Sequence, residues 1–168
     1  MDIEIRPVKV EDEVEMQAVY HIEDKCFPKA EQDSRETIYR RAKNCPDFFW
    51  VAVNREDGKL AGFLNGMPVK PSQSTEDVFT DFSLYAPEGP WVMAISLNVD
   101  PAYRRQDIAR KLLNFALNEL RQRQKYSGMV FICKEHRVPY FSSFGAIDEG
   151  ISECQHGGAF WHQMRQLF

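Results

Sequence analysis

Ser96-Leu97-Asn98-Val99-Asp100-Pro101-Ala102-Tyr103-Arg104-Arg105-Gln106-Asp107-Ile108-Ala109-Arg110-Lys111-Leu112-Leu113 changes character four times along one short segment. Ser96 to Val99 is apolar-rich, Asp100-Pro101 breaks it, Ala102 to Asp107 is compact and cationic, and Ile108 opens a run of helical period. The order is strand, turn, loop, helix. Ala109, Leu112, Leu113, Ala116, Leu117 and Leu120 recur at three- and four-residue steps, whereas Arg110, Lys111, Asn114, Asn118, Arg121 and Gln122 fall between them. One face of this helix is therefore buried and the other solvated. Its first turn carries unpaired N–H groups and the positive end of the peptide dipoles. With Arg104, Arg105, Arg110 and Lys111 around it, that turn suits a phosphate. An amphipathic helix with a basic, solvated start fits the spacing equally well.

The 168 residues suffice for one domain, 1–168, with a substantial core. A net charge of −4 argues against a general nucleic-acid binder, whose surface would be broadly basic. The cationic cluster from Arg104 to Lys111 suits a small anion better. No apolar run approaches a membrane span, and Met1 to Arg6 has no signal-peptide layout, so a cytoplasmic location and no membrane partner are expected. Cys26, Cys45, Cys133 and Cys154 are far apart and form no C-x-x-C pair, and the four histidines are equally scattered. Neither a disulfide framework nor a metal site is expected.

Outward from the central segment, Ile3 and Ile5 alternate with Glu4 and Arg6 as a first strand, and a helix follows from Asp12. Val14, Ala18, Val19, Ile22, Cys26 and Phe27 form its apolar stripe, Pro28 stops it, and Glu23 and Asp24 read as a solvated face. Ser34 caps a second helix from Arg35 to Lys43. Phe48 to Val53 and Leu60 to Met67 make a hairpin in which Gly62 and Gly66 admit the close approach of a backbone or a ligand. Pro68 to Pro90 is long for a connection. Its Glu76, Asp77, Asp81 and Glu88, with Phe79, Phe82 and Tyr85, suit an amine with an apolar body, or else a solvated loop pinned by its aromatics. Gly128 to Cys133 is continuous apolar text for a doubly buried strand. Val138 to Gly145 is a short helix, and two strands from Ala146 to Ser152 and Ala159 to Arg165 finish the chain around a Gln155-His156-Gly157-Gly158 turn.

The segment from Asn98 to Leu113 resembles the acetyl-CoA signature of the GNAT acyltransferases, V-x-P-x-x-R-x-x-G-I-A/G-x-x-L-L, at nearly every position. Pro139 to Ala146 resembles the second signature of that family, x-x-F-Y-x-x-x-G-F. The resemblance implies a single-domain, mixed-sheet α/β fold, the GNAT acyl-CoA N-acyltransferase fold, with six or seven strands and two helices on each face. It implies acetyl-CoA as cosubstrate and no metal. Leu97, Asn98 and Val99 would line the pantetheine arm, Arg104, Arg105, Gln106, Asp107, Ile108, Ala109 and Arg110 would cradle the pyrophosphate, and Phe141 would flank the cofactor. Asp107 departs from the usual glycine. As an N-cap its carboxylate would accept from the first helical N–H groups. As a ligand-site residue it is unfavourable: a carboxylate about 5 Å from a phosphate charge costs roughly 3 kcal/mol at an effective dielectric of 20, before salt screening.

Ile22-Glu23-x-x-x-Phe27 and Cys133-x-x-x-x-Val138-Pro139 are similar to the arylalkylamine N-acetyltransferase branch. The implied reaction is direct attack by a small primary amine on the thioester, in a monomer or a homodimer. The usual tyrosine acid is displaced, because Tyr140 holds the phenylalanine position and Phe141 the tyrosine position, a rotation of about 100 degrees on a helix. Tyr140 is the candidate acid. Met93 and Ile95 stand where that branch has two histidines, so a base must come from Glu23, Glu135, His136 or a water chain; His136 has the ordinary pKa nearest neutrality. A protein amine as acceptor, or a catalytically silent CoA-binding module, are the rival readings.

Overall fold

The computed structural model describes residues 1–70, 79 and 82–168. Among them, seven strands form one mixed sheet in the order β1-β2-β3-β4-β5-β7-β6. The strands are β1 (Ile3–Pro7), β2 (Phe49–Asn54), β3 (Leu60–Val69), β4 (Trp91–Val99), β5 (Gly128–Cys133), β6 (Ile147–Ile151) and β7 (His162–Leu167). Every neighbouring pair is antiparallel except β4 with β5, which the intervening helix makes parallel. The helices are α1 (Glu13–Cys26), α2 (Arg35–Asn44), α3 (Ile108–Gln122) and α4 (Val138–Ser142).

Two helices cover each face, as the family resemblance implied. α1 and α2 close over Phe49, Val51 and Phe63 with Met16, Val19, Ile22, Ile38 and Ala42. α3 lays Leu112, Leu113, Ala116, Leu117 and Leu120 on Leu64, Met67, Met129 and Val130, and Phe141 of α4 packs at the edge of that cluster. Each leucine buried this completely stabilises the fold by about 1.5–3 kcal/mol. The stripe read for α3 is the stripe observed.

The stripe read for α1 holds at Val19 and Ile22, with Ala18, Cys26 and Phe27 half-buried, and fails at Val14. Val14 is 80% exposed, and the buried face also includes Glu15 and Glu23. Both acids have partners that offset their burial: Arg6 is bidentate on Glu15, which also accepts from the Lys9 N–H at 2.7 Å. The expectation of a solvated Glu23 is thus corrected, while Asp24 is exposed.

Gly62 and Gly66 make room for a backbone. A Cβ at either would lie 2.5 Å from the Asn98 carbonyl oxygen or 2.3 Å from that of Met93, so these glycines let β4 pair tightly with β3. Of the acidic loop residues, Glu76, Asp77 and Asp81 lie outside the described residues. The strands at the chain's end are β6 and β7, and the turn between them carries a buried His156.

Candidate active site

β4 leaves β5 halfway along its length. The two pair only at Trp91↔Gly128, Val92↔Met129 and Met93↔Val130. Beyond that point β5 continues with β7 as far as Cys133↔His162, whereas β4 follows β3. A bulge sits at the point of divergence: Asn65 faces Ser96 and Gly66 faces Ala94, leaving Ile95 as the extra residue. A bulge bends its strand and sharpens the local twist. The result is a wedge whose β4 wall, from Ala94 to Val99, has no strand on the β5 side among the described residues, and so offers backbone N–H and C=O groups to an extended ligand.

The turn after β4 is built by its own side chains. Asp100 accepts from the Ala102 N–H at 2.9 Å and pairs with Lys25 at 3.1 Å, which ties the end of α1 to the end of β4. Cys26 Sγ and Arg104 Nε both donate to the Val99 carbonyl, at 3.3 and 3.4 Å. Arg105 and Asp107 then take φ of 61° and 58°. Left-handed residues near a helix start turn successive N–H groups toward one point and make an anion-binding concavity. Arg104, Arg105, Gln106 and Asp107 are all exposed around it, and Ile108 is buried as the first core residue of α3. The first helical N–H closed from within is that of Lys111, on the Asp107 carbonyl at 2.9 Å.

Asp107 therefore does not cap α3 with its carboxylate, contrary to the expectation; its side chain makes no cap hydrogen bond and lies 3.8 Å from Arg110 Nε. A left-handed residue is needed here, which is the physical reason a glycine suits the position, and aspartate is among the side chains that tolerate it. Asp107→Gly is expected to stabilise the fold by about 1 kcal/mol and to tighten binding of a pyrophosphate ligand such as desulfo-CoA about fivefold, read by thermal melting and calorimetry.

On α4 the two aromatics diverge as the helical rotation requires. Phe141 turns inward, its ring 4.8 Å from that of Phe131 in a filled apolar region with Leu113, Leu117 and Met129. Tyr140 is half-buried beside Phe144, over whose ring Arg110 lies at 5.1 Å. Burial holds its phenol above the ordinary range despite Arg110 and Arg137, so Tyr140 keeps its proton at neutral pH and stands near Arg110 and Asp107. His136 and Glu135 are exposed on a single turn after β5.

On the opposite face the structure assembles a buried polar group. Glu23, 1% exposed, accepts from the Asp33 N–H at 3.0 Å and from Asn98 Nδ2 at 2.6 Å. Asp33 in turn pairs with Arg41 at 2.5 Å, both side chains nearly inaccessible. Burial pushes the Glu23 carboxyl up to about 7, opposed by its two hydrogen bonds and by Arg41 and reinforced by Asp33. Leu97 and Val99 point to the α3 face and Asn98 to the α1 face, where its amide meets Glu23.

The open end of β5 carries a further cluster that the sequence did not reveal. Lys134 Nζ meets Glu31 at 2.7 Å and lies 4.6 Å over the Trp161 ring; His156 Nε2 is 2.9 Å from the Glu31 carbonyl and stacks on Phe79 at 4.0 Å. It joins the α1–α2 loop to the β6–β7 loop. Asn65, Asp33 and Arg41 were missed as well. Their only textual signal was an amide inside the apolar Gly62-Phe63-Leu64-Asn65-Gly66 run. Among the described residues no group of three or more His, Cys, Asp or Glu is placed to hold a metal, and no helix is long and apolar enough to cross a membrane.

Comparison with known proteins agrees with this geometry. Residues 16–145 match the model of the acetyltransferase (GNAT) family. Among curated proteins no sequence matches significantly. Solved structures that superpose on the chain include the loading GNATL domain of CurA from Lyngbya majuscula, with TM-score 0.84, 16% identity, and coverage of 99% of this chain and 98% of that one. The GphF GNAT-like decarboxylase in complex with isobutyryl-CoA gives 0.78 and 20%, covering 98% of each chain. The ribosomal-protein-S18-alanine N-acetyltransferase from Escherichia coli gives 0.70 and 17%, covering 99% and 94%. These likenesses support the fold and give no support to the narrower arylalkylamine branch.

Proposed function

The chain belongs to the acetyltransferase (GNAT) family, and on that premise we propose that it is an acetyl-CoA-dependent N-acetyltransferase whose acceptor is a small primary amine. One observation carries the reading: an unpaired β4 wall leads directly to a cationic, left-handed loop at a helix start. The fit to an acyl-CoA is good on both counts, since the wall offers backbone groups at the spacing of a strand and the concavity collects N–H groups and arginines. Leu97, Asn98 and Val99 would line the arm, and Arg104 to Arg110 would hold the phosphates. When bound, acetyl-CoA supplies an acyl group already activated as a thioester.

The chain's own groups do the rest. Glu23, titrating near 7 and buried behind β4, takes the proton of the amine through a water chain; a base poised at the working pH is the most effective. A β4 N–H at the bulge donates to the developing oxyanion. The exposed arginines of the loop orient and neutralise the phosphates. Tyr140 remains a proton donor at the phosphate end, while His136, exposed and away from the buried polar group, has no role in this account. A silent CoA-binding module is the second reading, favoured by the inward packing of Phe141 where the family has its acid.

Calorimetric titration of CoA separates the cofactor assignment from the fold. Arg105→Ala and Arg110→Ala are each expected to weaken CoA about ten- to hundredfold, through loss of charge-assisted contacts. Unchanged affinity in both would remove the pyrophosphate assignment. Amine-dependent thiol release distinguishes the enzyme from the silent module.

A further inference from the structure

Asn65 is completely buried, and neither its Nδ2 nor its Oδ1 has a hydrogen-bond partner; the Oδ1 of Asn98, 1% exposed, is likewise without one. The strand register puts these atoms on one patch. Asn65 faces Ser96 across the β3–β4 pair, and Asn98 follows Ser96 by two residues on the same side of the sheet, the side covered by α1. The other residues directly opposite on this face are Phe49 and Phe63. Diagonal neighbours on a sheet face are about 7 Å apart; no direct bond joins the two amides, and one bridging water can reach both. An amide with both polar atoms unpaired in such surroundings is worse than a leucine unless something polar joins it. A buried water needs two to four polar partners, and Asn65, Ser96 and Asn98 supply them.

The orientation of Asn98 is set by Glu23. An ionised carboxylate only accepts, so it takes the Nδ2 of Asn98 and leaves Oδ1 directed away. A protonated Glu23 can donate, and then the reversed amide is the better partner. We propose that Asn65, Ser96 and Asn98 enclose one buried water, and that Asn98 turns its amide over when Glu23 gains a proton, making Asn98 a positioning residue that couples that water to Glu23. The functional meaning of this coupling rests on the reading of Glu23 as the base, but its structural content does not. The other groups facing Glu23 are Asp33 from the α1–α2 loop and Arg41 from α2, whose charges are fixed on one another, and Cys26 one turn further along α1.

The test uses the ligand-free protein, so it is independent of turnover. Side-chain amide resonances of Asn98 are followed from pH 5.5 to 8.5, and magnetisation transfer from water to the Asn65 and Asn98 amides is measured in the same samples. Asn98 signals are expected to move with a midpoint near that of Glu23 and to stay flat in Glu23→Gln. Asn65→Leu, or Asn65→Ser if the leucine variant does not fold, is expected to abolish or weaken the bound-water signal. Losing the water that holds Asn98 in its carboxylate-facing orientation raises the Glu23 midpoint by about one pH unit in Asn65→Leu. Absence of a long-lived water, or Asn98 signals flat in the unmodified protein, overturns the proposal. If Glu23→Gln abolishes acetyl transfer while Asn98 stays flat, the base assignment stands and this inference fails. If Asn98 responds while Glu23→Gln retains full turnover, the coupling exists and the base assignment fails.

Discussion

Arg41→Ala is expected to destabilise the protein by about 3–5 kcal/mol, seen as a large fall in the denaturant midpoint. The guanidinium is 1% exposed and meets a carboxylate, Asp33, that is 3% exposed. Truncating one partner leaves the other charged and unsolvated in the interior, which is the expensive way to break such a pair. Arg41 also donates to the Phe79 carbonyl at 3.4 Å, and Asp33 holds its backbone N–H on Glu23. The loss is therefore expected to reach the proposed active site: any folded Arg41→Ala protein should titrate Glu23 at higher pH, since a stabilising positive charge has gone. Lysine at 41 keeps the charge but not the fork, and is expected to recover part of the stability only. A loss below about 1 kcal/mol would show that the pair is not buried as described.

Glu23→Gln is expected to have opposite effects on turnover and on stability. Turnover at neutral pH should fall about 10²- to 10⁴-fold, the usual contribution of a positioned base, and the acidic limb of the pH–rate profile, the fall in rate as Glu23 gains its proton, should vanish. Stability should rise at high pH. Glu23 binds its proton more tightly folded, near 7, than its ordinary value of 4.5. The folded state therefore holds more protons between about pH 4.5 and 7, and its stability falls as pH rises through that window, by about 3 kcal/mol at completion. Below the window the group is protonated in both states and contributes no difference. Denaturation of Glu23→Gln at pH 5 and pH 8 should thus show a gain at pH 8 that is small or absent at pH 5. An equal effect at both values would mean that the carboxyl is not perturbed.

The segment from β4 through the cationic loop to α3 was legible because local chemistry writes it in order. A strand, an Asp-Pro turn, a run of cations and a 3.6-period helix fix β4, the loop and α3 within a few residues of one another, and Leu112, Leu113, Ala116, Leu117 and Leu120 are buried as the pattern requires. The one feature hidden there is the backbone state of Asp107: its side chain suits either a helix cap or a place beside a ligand, whereas the chain needs a left-handed residue at this point. The buried polar group under α1 was not legible. Glu23, Asp33, Arg41, Asn65 and Asn98 come from two helices, a loop and two strands, and no spacing rule joins them. Glu23 reads as a surface acid because periodicity counts apolar residues, while its burial depends on Asp33 and Asn98, ten and seventy-five residues away. Likewise Lys134, Glu31, His156 and Trp161 meet only once the α1–α2 and β6–β7 loops are folded onto the end of β5.

The central claim is that acetyl groups leave CoA for an amine in this wedge, and the direct measurement is thiol release from acetyl-CoA by the purified protein against a panel of aryl, alkyl and polyamine acceptors, with an acceptor-free blank and Glu23→Gln beside the unmodified chain. The account predicts saturable, amine-dependent release that Glu23→Gln depresses at least a hundredfold while binding CoA normally. Tight CoA binding with no release above the blank for any amine would contradict it and leave the silent module standing.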